Sequence, residues 1–295
     1  LPLSLGSGHI YVSLSAVVGG EEKVVKSQLA LVPDPEREYR DSSPFGILPT
    51  VISPRRTDLM LDQIYWLGAR WVRYFNPEND SLERYLERNL EPIPNSASII
   101  QAPQGSFRFS EMKNEPNFSY LAAEYAEKLK LNYLRQKQHV PNILVGSPST
   151  AGVDSTWFKE LAENGAWDYM DFINVHLHCF PYAPEVDEAI TSYYYLASSV
   201  KKLFPLMEEY GYKPVVDTEQ GYLHLDPDLR VEGYGLGMVS DDDFAAAFLV
   251  RSYLEGMAYG LLGKHWFTLN QYGGFGLFYY NTPRPSYSAY AVMTK

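Results

Sequence analysis

Cysteine is almost absent, since the 295 residues contain only Cys179. A single thiol can neither form an intrachain disulfide nor supply a cysteine-rich metal site. Long apolar runs are absent as well, because no eighteen consecutive residues are apolar, and a membrane partner is not expected. The opening Leu1-Pro2-Leu3-Ser4 lacks the charged start and the long apolar stretch of a signal peptide. The compartment stays open, and we favour a secreted or periplasmic location over a cytoplasmic one.

Positive charge is also scarce, with 25 Lys and Arg against 36 Asp and Glu, which gives a formal net charge of −11 at pH 7. This balance leaves no broad basic surface for a phosphate backbone, so nucleic acid is not an expected partner. Aromatic residues, in contrast, make up 15% of the chain. Their rings can stack on the faces of sugars, although most would fill the core of any fold of this size.

The first 44 residues differ in pattern from the rest of the chain. Residues 10–17 alternate between apolar and polar side chains, Gly19-Gly20 offers a turn, and residues 23–32 form a second strand-like run. The pattern predicts a β-hairpin, or the remnant of an accessory β-sandwich, followed by a linker. We therefore expect residues 1–44 to form a short β-rich appendage and residues 45–295 to form the main domain.

After residue 44, short apolar runs alternate with helical stretches, a pattern typical of parallel βα units. The remaining length matches the roughly 250 residues of a (β/α)8 TIM barrel, so we predict an α/β fold of that type. Strands are expected at 45–48, 71–75, 90–94, 107–109, 142–146, 172–176, in the run that ends at Glu219, and at 264–269. Helices are expected at 57–68, 80–89, 120–136, 156–164, 190–210, 241–259 and 285–295, and Ser240 is the expected cap of the penultimate helix.

The third helix of the barrel is the exception to this regular alternation. Too few residues separate the strand expected at 90–94 from the strand expected at 107–109 to form a helix with two loops. Either the barrel lacks this helix, or residues between about 98 and 107 are missing from the chain. We favour missing residues.

Two glutamates stand at the ends of two expected strands. Asn114-Glu115-Pro116-Asn117 follows the run at 107–109, and its proline stops the ladder because it has no N–H to donate. Glu219 ends a second apolar run, just before Gln220-Gly221. Glycoside hydrolysis requires two such carboxylates: one protonates the leaving oxygen, and the other attacks the anomeric carbon or activates water.

The Asn-Glu-Pro turn and the later Thr218-Glu219-Gln220-Gly221 segment resemble the retaining glycoside hydrolases of clan A. Within the clan, the chain is most similar to family 39 and its neighbours, and the resemblance runs from residue 44 to residue 295. It implies that Glu115 is the acid/base and Glu219 the nucleophile of a β-glycosidase. Such an enzyme would act on an oligo- or polysaccharide by double displacement, and it would need no cofactor.

The resemblance also assigns roles to two polar residues near this pair. In the clan, an arginine at the end of strand two helps to hold the nucleophile, which points to Arg73. A fixed positive charge near Glu219 would keep that carboxylate ionised. Asn114 resembles the family asparagine that hydrogen-bonds the 2-hydroxyl of the sugar.

Aromatic and polar residues at other strand ends complete the expected site. His176 and His178 share one face of strand six because side chains two residues apart point the same way. His178 departs from the family, which commonly has a tyrosine here that touches the nucleophile. Trp266 resembles the tryptophan that forms the floor of the subsite for the sugar on the non-reducing side. Tyr222 and Asn270 are candidates for the polar rim.

Two other functions stay open at this stage. The barrel could bind carbohydrate without catalysis, or His176 and His178 could belong to a metal-dependent hydrolase, although no further ligands stand out in the sequence. A transglycosylase would use the same two glutamates. The sugar, the linkage, exo or endo action and the oligomeric state are left open by the sequence.

Overall fold

The computed structural model describes residues 7–35, 42–49, 57–75, 80–95, 99, 107–191, 194–224, 241–270, 274–279 and 281–295. It begins with an antiparallel hairpin of strands β1 (Gly8–Val18) and β2 (Glu21–Leu31). Gly19 and Gly20 connect the two strands with φ angles of 64° and 87°. A two-residue turn of this kind needs positive φ at both positions, which glycine adopts without steric cost.

The hairpin is attached to the rest of the chain near its open end. His9 Nδ1 lies 3.2 Å from the Ser288 hydroxyl. Further along, Leu14 and Val25 are direct cross-strand partners on a face that has little cover, and their side chains are 68% and 64% exposed. The outer part of the hairpin therefore presents apolar side chains to solvent.

Seven parallel strands form one curled sheet. They are β3 (Phe45–Leu48), β4 (Trp71–Phe75), β5 (Glu91–Pro94), β8 (Thr150–Ala151), β9 (Ile173–His176), β10 (Val215–Gln220) and β11 (Leu261–Phe267). Their order is β5-β4-β3-β11-β10-β9-β8, so the first strand of the sheet in the chain lies beside the last. The structure is thus a mixed α/β fold in which parallel strands carry their carboxyl ends to one edge.

Two further strands pair with each other in parallel, β6 (Phe109–Ser110) and β7 (Leu144–Val145). Isolated bridges connect this pair to both sides of the sheet. Asn95, just after β5, bridges to Glu111, and Gly146, just after β7, bridges to Phe172. The β6–β7 pair therefore lies between β5 and β9. A short antiparallel pair, β12 (Phe278–Tyr279) and β13 (Thr282–Pro283), follows the sheet.

Helices alternate with the strands along the chain. They are α1 (Asp58–Leu67), α2 (Leu82–Leu86), α3 (Ala122–His139), α4 (Ser155–Glu163), α5 (Glu188–Thr191), α6 (Phe204–Tyr210), α7 (Asp242–Ala258) and α8 (Pro285–Met293). Short 3-10 helices occupy Pro116–Phe118, Trp167–Tyr169 and Ala197–Leu203. None of the helices in the described part of the chain is both long enough and apolar enough to span a bilayer.

Helix α1 shows why these segments are helical. Thr57 caps its first turn by accepting a hydrogen bond from Met60 N, and Gly68 ends it in the left-handed conformation at φ 81°. The buried side chains Met60, Leu61, Ile64 and Leu67 recur at helical spacing. They form one apolar face of α1, which lies in the main hydrophobic core of the protein.

Two helix predictions need correction. The helix expected at 190–210 is instead the short α5, the 3-10 helix at 197–203 and α6. Residues 194–196 form a turn that interrupts the expected helix. Pro205, which has no N–H to bond to the preceding turn, is the second residue of α6, where the 3-10 helix changes to an α-helix. The side chain that caps α7 is Asp241, which accepts from Phe244 N at 2.8 Å; the expected cap Ser240 lies outside the described residues. Of the stretch discussed for the third helix, only residues 99 and 107 are described.

Candidate active site at the carboxyl ends of the strands

Glu115 follows β6 at a sharp turn of the backbone. Its φ of 42° is in the left-handed region, and the chain then enters the 3-10 helix at 116–118. The backbone N–H of Glu115 donates to Ser149 O at 2.7 Å, which fixes the turn against the loop after β7. A side chain other than glycine adopts this conformation at a cost of about 1 kcal/mol or more. The turn brings the partly exposed Glu115 carboxyl to His176, with 2.8 Å between Oε1 and Nδ1.

Glu219 lies near the end of β10, and its carboxylate has two strong partners. Arg73 Nη1 donates to Oε2 at 2.5 Å, and His178 Nε2 lies 3.1 Å from Oε1. Burial raises the pKa of this carboxyl, but the charge of His176, the hydrogen bond from His178 and the charge of Arg73 outweigh that effect. The pKa of Glu219 therefore lies well below its usual range, and the group is ionised near neutral pH.

Arg73 organises the polar groups under the site. Its guanidinium is fully buried, and Nε lies 2.9 and 3.0 Å from the two oxygens of Glu111. Nη1 donates to Glu219, and Nη2 donates to Asn114 Oδ1 at 2.9 Å. Burial lowers the pKa of Arg73, but the nearby negative charges raise it above its ordinary value, so the guanidinium stays charged. One cation thereby positions two carboxylates and one amide.

Asn114 has a fixed orientation because of these contacts. Its Oδ1 accepts from Arg73 and also from the Tyr74 hydroxyl at 2.6 Å. With two donors on the amide oxygen, the amide nitrogen must lie on the opposite side of the group. Asn114 directly precedes Glu115 in the chain, and Arg73 binds both its amide oxygen and the Glu219 carboxylate.

His176 connects the two glutamates. Its Nδ1 lies 2.8 Å from Glu115 Oε1 and 3.9 Å from Glu219 Oε2. The distance between those two oxygens cannot exceed the sum of the two lengths, and it reaches that sum only if the nitrogen lies on the line between them. The two carboxyl groups therefore lie near each other, with His176 as a common neighbour.

His178 occupies the position next to the candidate nucleophile where the family resemblance leads one to expect tyrosine. Its ring is surrounded by aromatic residues, with centroid distances of 5.6 Å to Phe267, 5.7 Å to Phe275 and 5.9 Å to Phe180. These contacts hold the imidazole so that Nε2 points at Glu219. The hydrogen bond that a tyrosine hydroxyl would supply is made here by a ring nitrogen.

The structure does not bring Trp266 and Tyr222 to the pair. Both are fully buried, and their rings stack on each other with centroids 6.3 Å apart, beside Phe248 of α7. Side chains alternate along a strand, so Trp266 faces the helices while its neighbour Phe267 faces the site. Asn270 lies at the rim, where its N–H donates to Pro49 O at 3.1 Å.

Three residues of the site had not been expected from the sequence: Glu111, Tyr74 and Phe267. Glu111 carries a signal that could have identified it. It lies two residues after Phe109 on the same face of the strand, and a charge placed inside a sheet needs a partner of opposite sign. Arg73 on the expected second strand is a partner of this kind.

Metal ligands are not clustered in the part of the chain that the structure describes. No group of three or more His, Cys, Asp or Glu side chains there has a geometry that could hold an ion. His176 and His178 each contact a glutamate instead.

No family model matches the chain, and no curated protein matches it. Solved structures do match its fold. A family 39 glycoside hydrolase from the gut symbiont Bacteroides cellulosilyticus WH2 superposes with a TM-score of 0.76 at 17% identity, over 98% of this chain and 70% of that one. The likeness at this identity establishes a shared fold.

Other glycosidases give similar superpositions. A monomeric β-xylosidase from Caulobacter crescentus CB15 has a TM-score of 0.59 at 17% identity, covering 88% of this chain and 69% of that one. A β-glucuronidase from Bacteroides uniformis has a TM-score of 0.62 at 13% identity, covering 93% of this chain. The chain spans only 38% of the length of that β-glucuronidase.

Proposed function

We propose that this protein is a retaining β-glycosidase in which Glu219 is the nucleophile and Glu115 the acid/base. The observation that carries the proposal is the position of His176 Nδ1, which borders both carboxyl groups at 2.8 and 3.9 Å. Retaining enzymes place their carboxyl groups about 5–5.5 Å apart, and inverting enzymes about 6.5–9.5 Å apart. A shared neighbour at these two distances favours the shorter separation.

Electrostatics supports different roles for the two glutamates. Glu219 has the fixed charge of Arg73 and a hydrogen bond from His178, and both favour the ionised carboxylate that attacks. Glu115 has no described cationic partner other than His176 and is more exposed than Glu219. It can therefore exchange its proton with a leaving group and with water.

The reaction that follows has two displacements. Glu219 attacks the anomeric carbon while Glu115 gives its proton to the departing glycosidic oxygen, and a covalent glycosyl-enzyme forms. Glu115, now ionised, removes a proton from the incoming water, whose oxygen displaces Glu219 and restores the free carboxylate. Asn114 donates from its amide nitrogen to the sugar 2-hydroxyl, and the product has retained configuration.

The proposal includes a closed (β/α)8 barrel, with the glutamates at its mouth. Closure is supported by the adjacency of β3 and β11 and by the bridges Asn95–Glu111 and Gly146–Phe172, which link β5 to β6 and β7 to β9. Residues 1–44 are proposed to be a separate β-rich appendage. Active sites of such barrels lie at the carboxyl ends of the strands, as Glu115 and Glu219 do here.

A panel of aryl glycosides tests the function. It would include β-xylosides, β-glucuronides and α-L-arabinofuranosides, because structures named β-xylosidase, β-glucuronidase and α-L-arabinofuranosidase share this fold. Proton NMR of the first-formed sugar should show retained configuration, and Glu219→Gly should lose hydrolysis but regain turnover of an activated β-glycoside with azide, giving the α-azide. Glu91→Gln changes a glutamate that pairs with Arg70 away from the site, and it should leave activity unchanged.

Other results would contradict the proposal in distinct ways. An inverted first product would contradict double displacement. Binding of oligosaccharides without cleavage of any glycoside would instead favour a non-catalytic carbohydrate-binding barrel. Activity that persists in Glu219→Gly without azide would show that another group is the nucleophile.

A further inference from the structure

A pocket of about 570 Å³ lies between the carboxyl ends of β5 and β6 and the helix α3. Asn95, just after β5, and Asn114, after β6, border it on one side, and Lys128 of α3 borders it on the other. Asn114 also belongs to the Arg73 network, so the pocket adjoins the site that holds the two glutamates. Its volume is within the roughly 300–1,000 Å³ of ligand pockets.

Two lysines from different elements line this pocket and approach one tyrosine ring. Lys113, after β6, donates from Nζ to the Tyr120 hydroxyl at 3.1 Å and lies 4.5 Å from the centroid of the ring. Lys128 Nζ lies 4.2 Å from the same centroid. The two ammonium groups cannot be further apart than the sum of these two centroid distances. Because the ring attracts both cations, they stay close together despite their mutual repulsion.

The two lysines differ from their neighbours in lacking an acidic partner. Neither Lys113 nor Lys128 forms an ion pair with an Asp or Glu side chain in the described part of the chain. Lys130 on the same helix, in contrast, pairs with Glu127 at 2.7 Å. None of the lining residues that the structure describes is acidic. The pocket is therefore a local positive patch in a protein with a formal net charge of −11.

The electrostatic effect of the lysines is visible at Tyr120. The hydrogen bond from Lys113, followed by the charges of Lys113 and Lys128, lowers the pKa of the Tyr120 hydroxyl, because these interactions stabilise its anionic form. The same charges would stabilise an anion that enters the pocket. Both ammonium groups can reach such a guest, since Lys113 and Lys128 are exposed side chains.

The surroundings of the pocket indicate what carries the anion. A protein with this net charge repels free polyanions at long range, which favours a ligand held by other contacts as well. Asn114 borders the pocket and is the residue proposed to contact the 2-hydroxyl of the bound sugar, so a saccharide held there can extend into the pocket. The volume exceeds what a simple inorganic anion needs, and the Asn132 amide at its border can hydrogen-bond a sugar hydroxyl.

We propose that the pocket is a subsite for an acidic sugar unit of the substrate, whose carboxylate or sulfate ester group binds Lys113 and Lys128. The inference rests on the proposed glycosidase function, because it assigns a substrate class, acidic oligo- or polysaccharides, to the same site. The acidic unit is next to the unit whose anomeric carbon Glu219 attacks. An ammonium group forms charge-assisted hydrogen bonds with either anion, so the same two side chains can hold both.

Binding of small glycosides, measured by NMR titration, tests the subsite independently of turnover. The probes are methyl β-D-glucuronide, the 6-sulfate of methyl β-D-glucoside and the neutral methyl β-D-glucoside. At least one acidic probe should bind about ten-fold more tightly than the neutral one, and the tighter of the two identifies the anion. The double variant with Lys113→Gln and Lys128→Gln should lose this preference. Lys130→Gln, the matched control on the same helix, should keep it.

Three outcomes would overturn the proposal: equal binding of the three glycosides, an unchanged preference in the double variant, or displacement of the acidic probe by an equimolar amount of inorganic sulfate. The last outcome would show a general anion site rather than a sugar subsite. Lys128→Glu is a second variant, which reverses one charge and should weaken binding of the acidic probe more than Lys128→Gln does. Melting temperatures check that each variant is folded.

Failure of the subsite and failure of the proposed function give different results. Cleavage of neutral aryl glycosides together with equal binding of the three probes would contradict the subsite and leave the glycosidase function standing. A lysine-dependent preference for an acidic probe, without cleavage of any glycoside, would support the subsite and contradict the catalytic function.

Discussion

Arg73 and Glu219 are 146 positions apart in the chain, yet Nη1 of one and Oε2 of the other are separated by 2.5 Å inside the sheet. The contact joins β4 to β10 and makes the ionisation of Glu219 depend on a residue near the beginning of the fold. Because the other edge of the same guanidinium holds Glu111, the pair is one part of a three-membered network.

Arg73→Met should raise the pKa of Glu219, because it removes a positive charge that stabilises the ionised carboxylate. Glu219 must be ionised to act as the proposed nucleophile, so the acidic limb of the kcat/KM profile should move to higher pH. Turnover should fall about 100-fold, as when one preorganised charge-stabilising donor is lost. Arg73→Lys should shift the limb less, since it keeps a charge, and Arg70→Met outside the site should not shift it. If the acidic limb of the kcat/KM profile does not move in Arg73→Met, then Arg73 does not act by stabilising the ionised carboxylate of Glu219.

Glu111→Gln should lower the free energy of unfolding by about 3 kcal/mol, because it removes the charge that compensates a fully buried guanidinium. Glu185→Gln is the matched control, since Glu185 and Arg251 form a pair that is more than 40% exposed on both sides. Exposed pairs contribute about 1 kcal/mol or less. Urea unfolding of the two variants measures the difference, and equal effects would argue against an energetic role for the buried pair.

His178→Tyr should keep most of the activity, because a phenol hydroxyl can donate to Glu219 Oε1 from the same position, two residues after β9. His178→Phe keeps the aromatic contacts with Phe267 and Phe275 but cannot donate, and its kcat should fall about ten-fold. Steady-state kinetics on the same glycoside compares the two. If both variants lose activity equally, the hydrogen bond is not the property that matters at this position.

Stability should fall as pH is lowered from about 6.5 towards 3 because of His265. Its pKa is near 6.5 when unfolded and about 3 when folded, so the unfolded chain takes up the proton first. The slope should approach about 1.4 kcal/mol per pH unit in that window. His265→Gln should flatten the dependence between pH 6.5 and 5.5, because it removes the imidazole whose pKa burial lowers. Unfolding free energies at several pH values measure the slopes, and an unchanged slope in His265→Gln would contradict the assignment.

Local patterns predicted the elements that depend on neighbouring residues. The expected strands at 45–48 and 71–75 coincide with β3 and β4, and the expected helix at 57–68 differs from α1 by one residue at each end. Glu115 and Glu219 were predicted as a pair from turns and runs of a few residues and from the family resemblance that these carry. Such features are set by backbone chemistry within one or two turns of chain, which a single sequence displays directly.

Features that depend on distant partners were harder to predict. Glu111 gained its role only from Arg73, which is 38 positions away. Which of the neighbours Trp266 and Phe267 lies near His178 depends on the face of the strand, and a shift of one position moves a side chain to the other face. The segment at 190–210 was expected to be one helix, but residues 194–196 form a turn, and a 3-10 helix at 197–203 then leads directly into α6.

The left-handed backbone of Glu115 determines how substitutions at this position change the stability of the protein. Asparagine and glycine occupy φ near 42° more readily than glutamate does, so substitutions that delete the carboxylate can relax the turn rather than disturb it. A Glu115→Asn protein should therefore melt at or above the temperature of the parent while performing no chemistry. Selection for thermal resistance alone would therefore favour inactive variants at position 115. A screen for stabilised variants of this protein must measure catalytic activity as well as melting temperature.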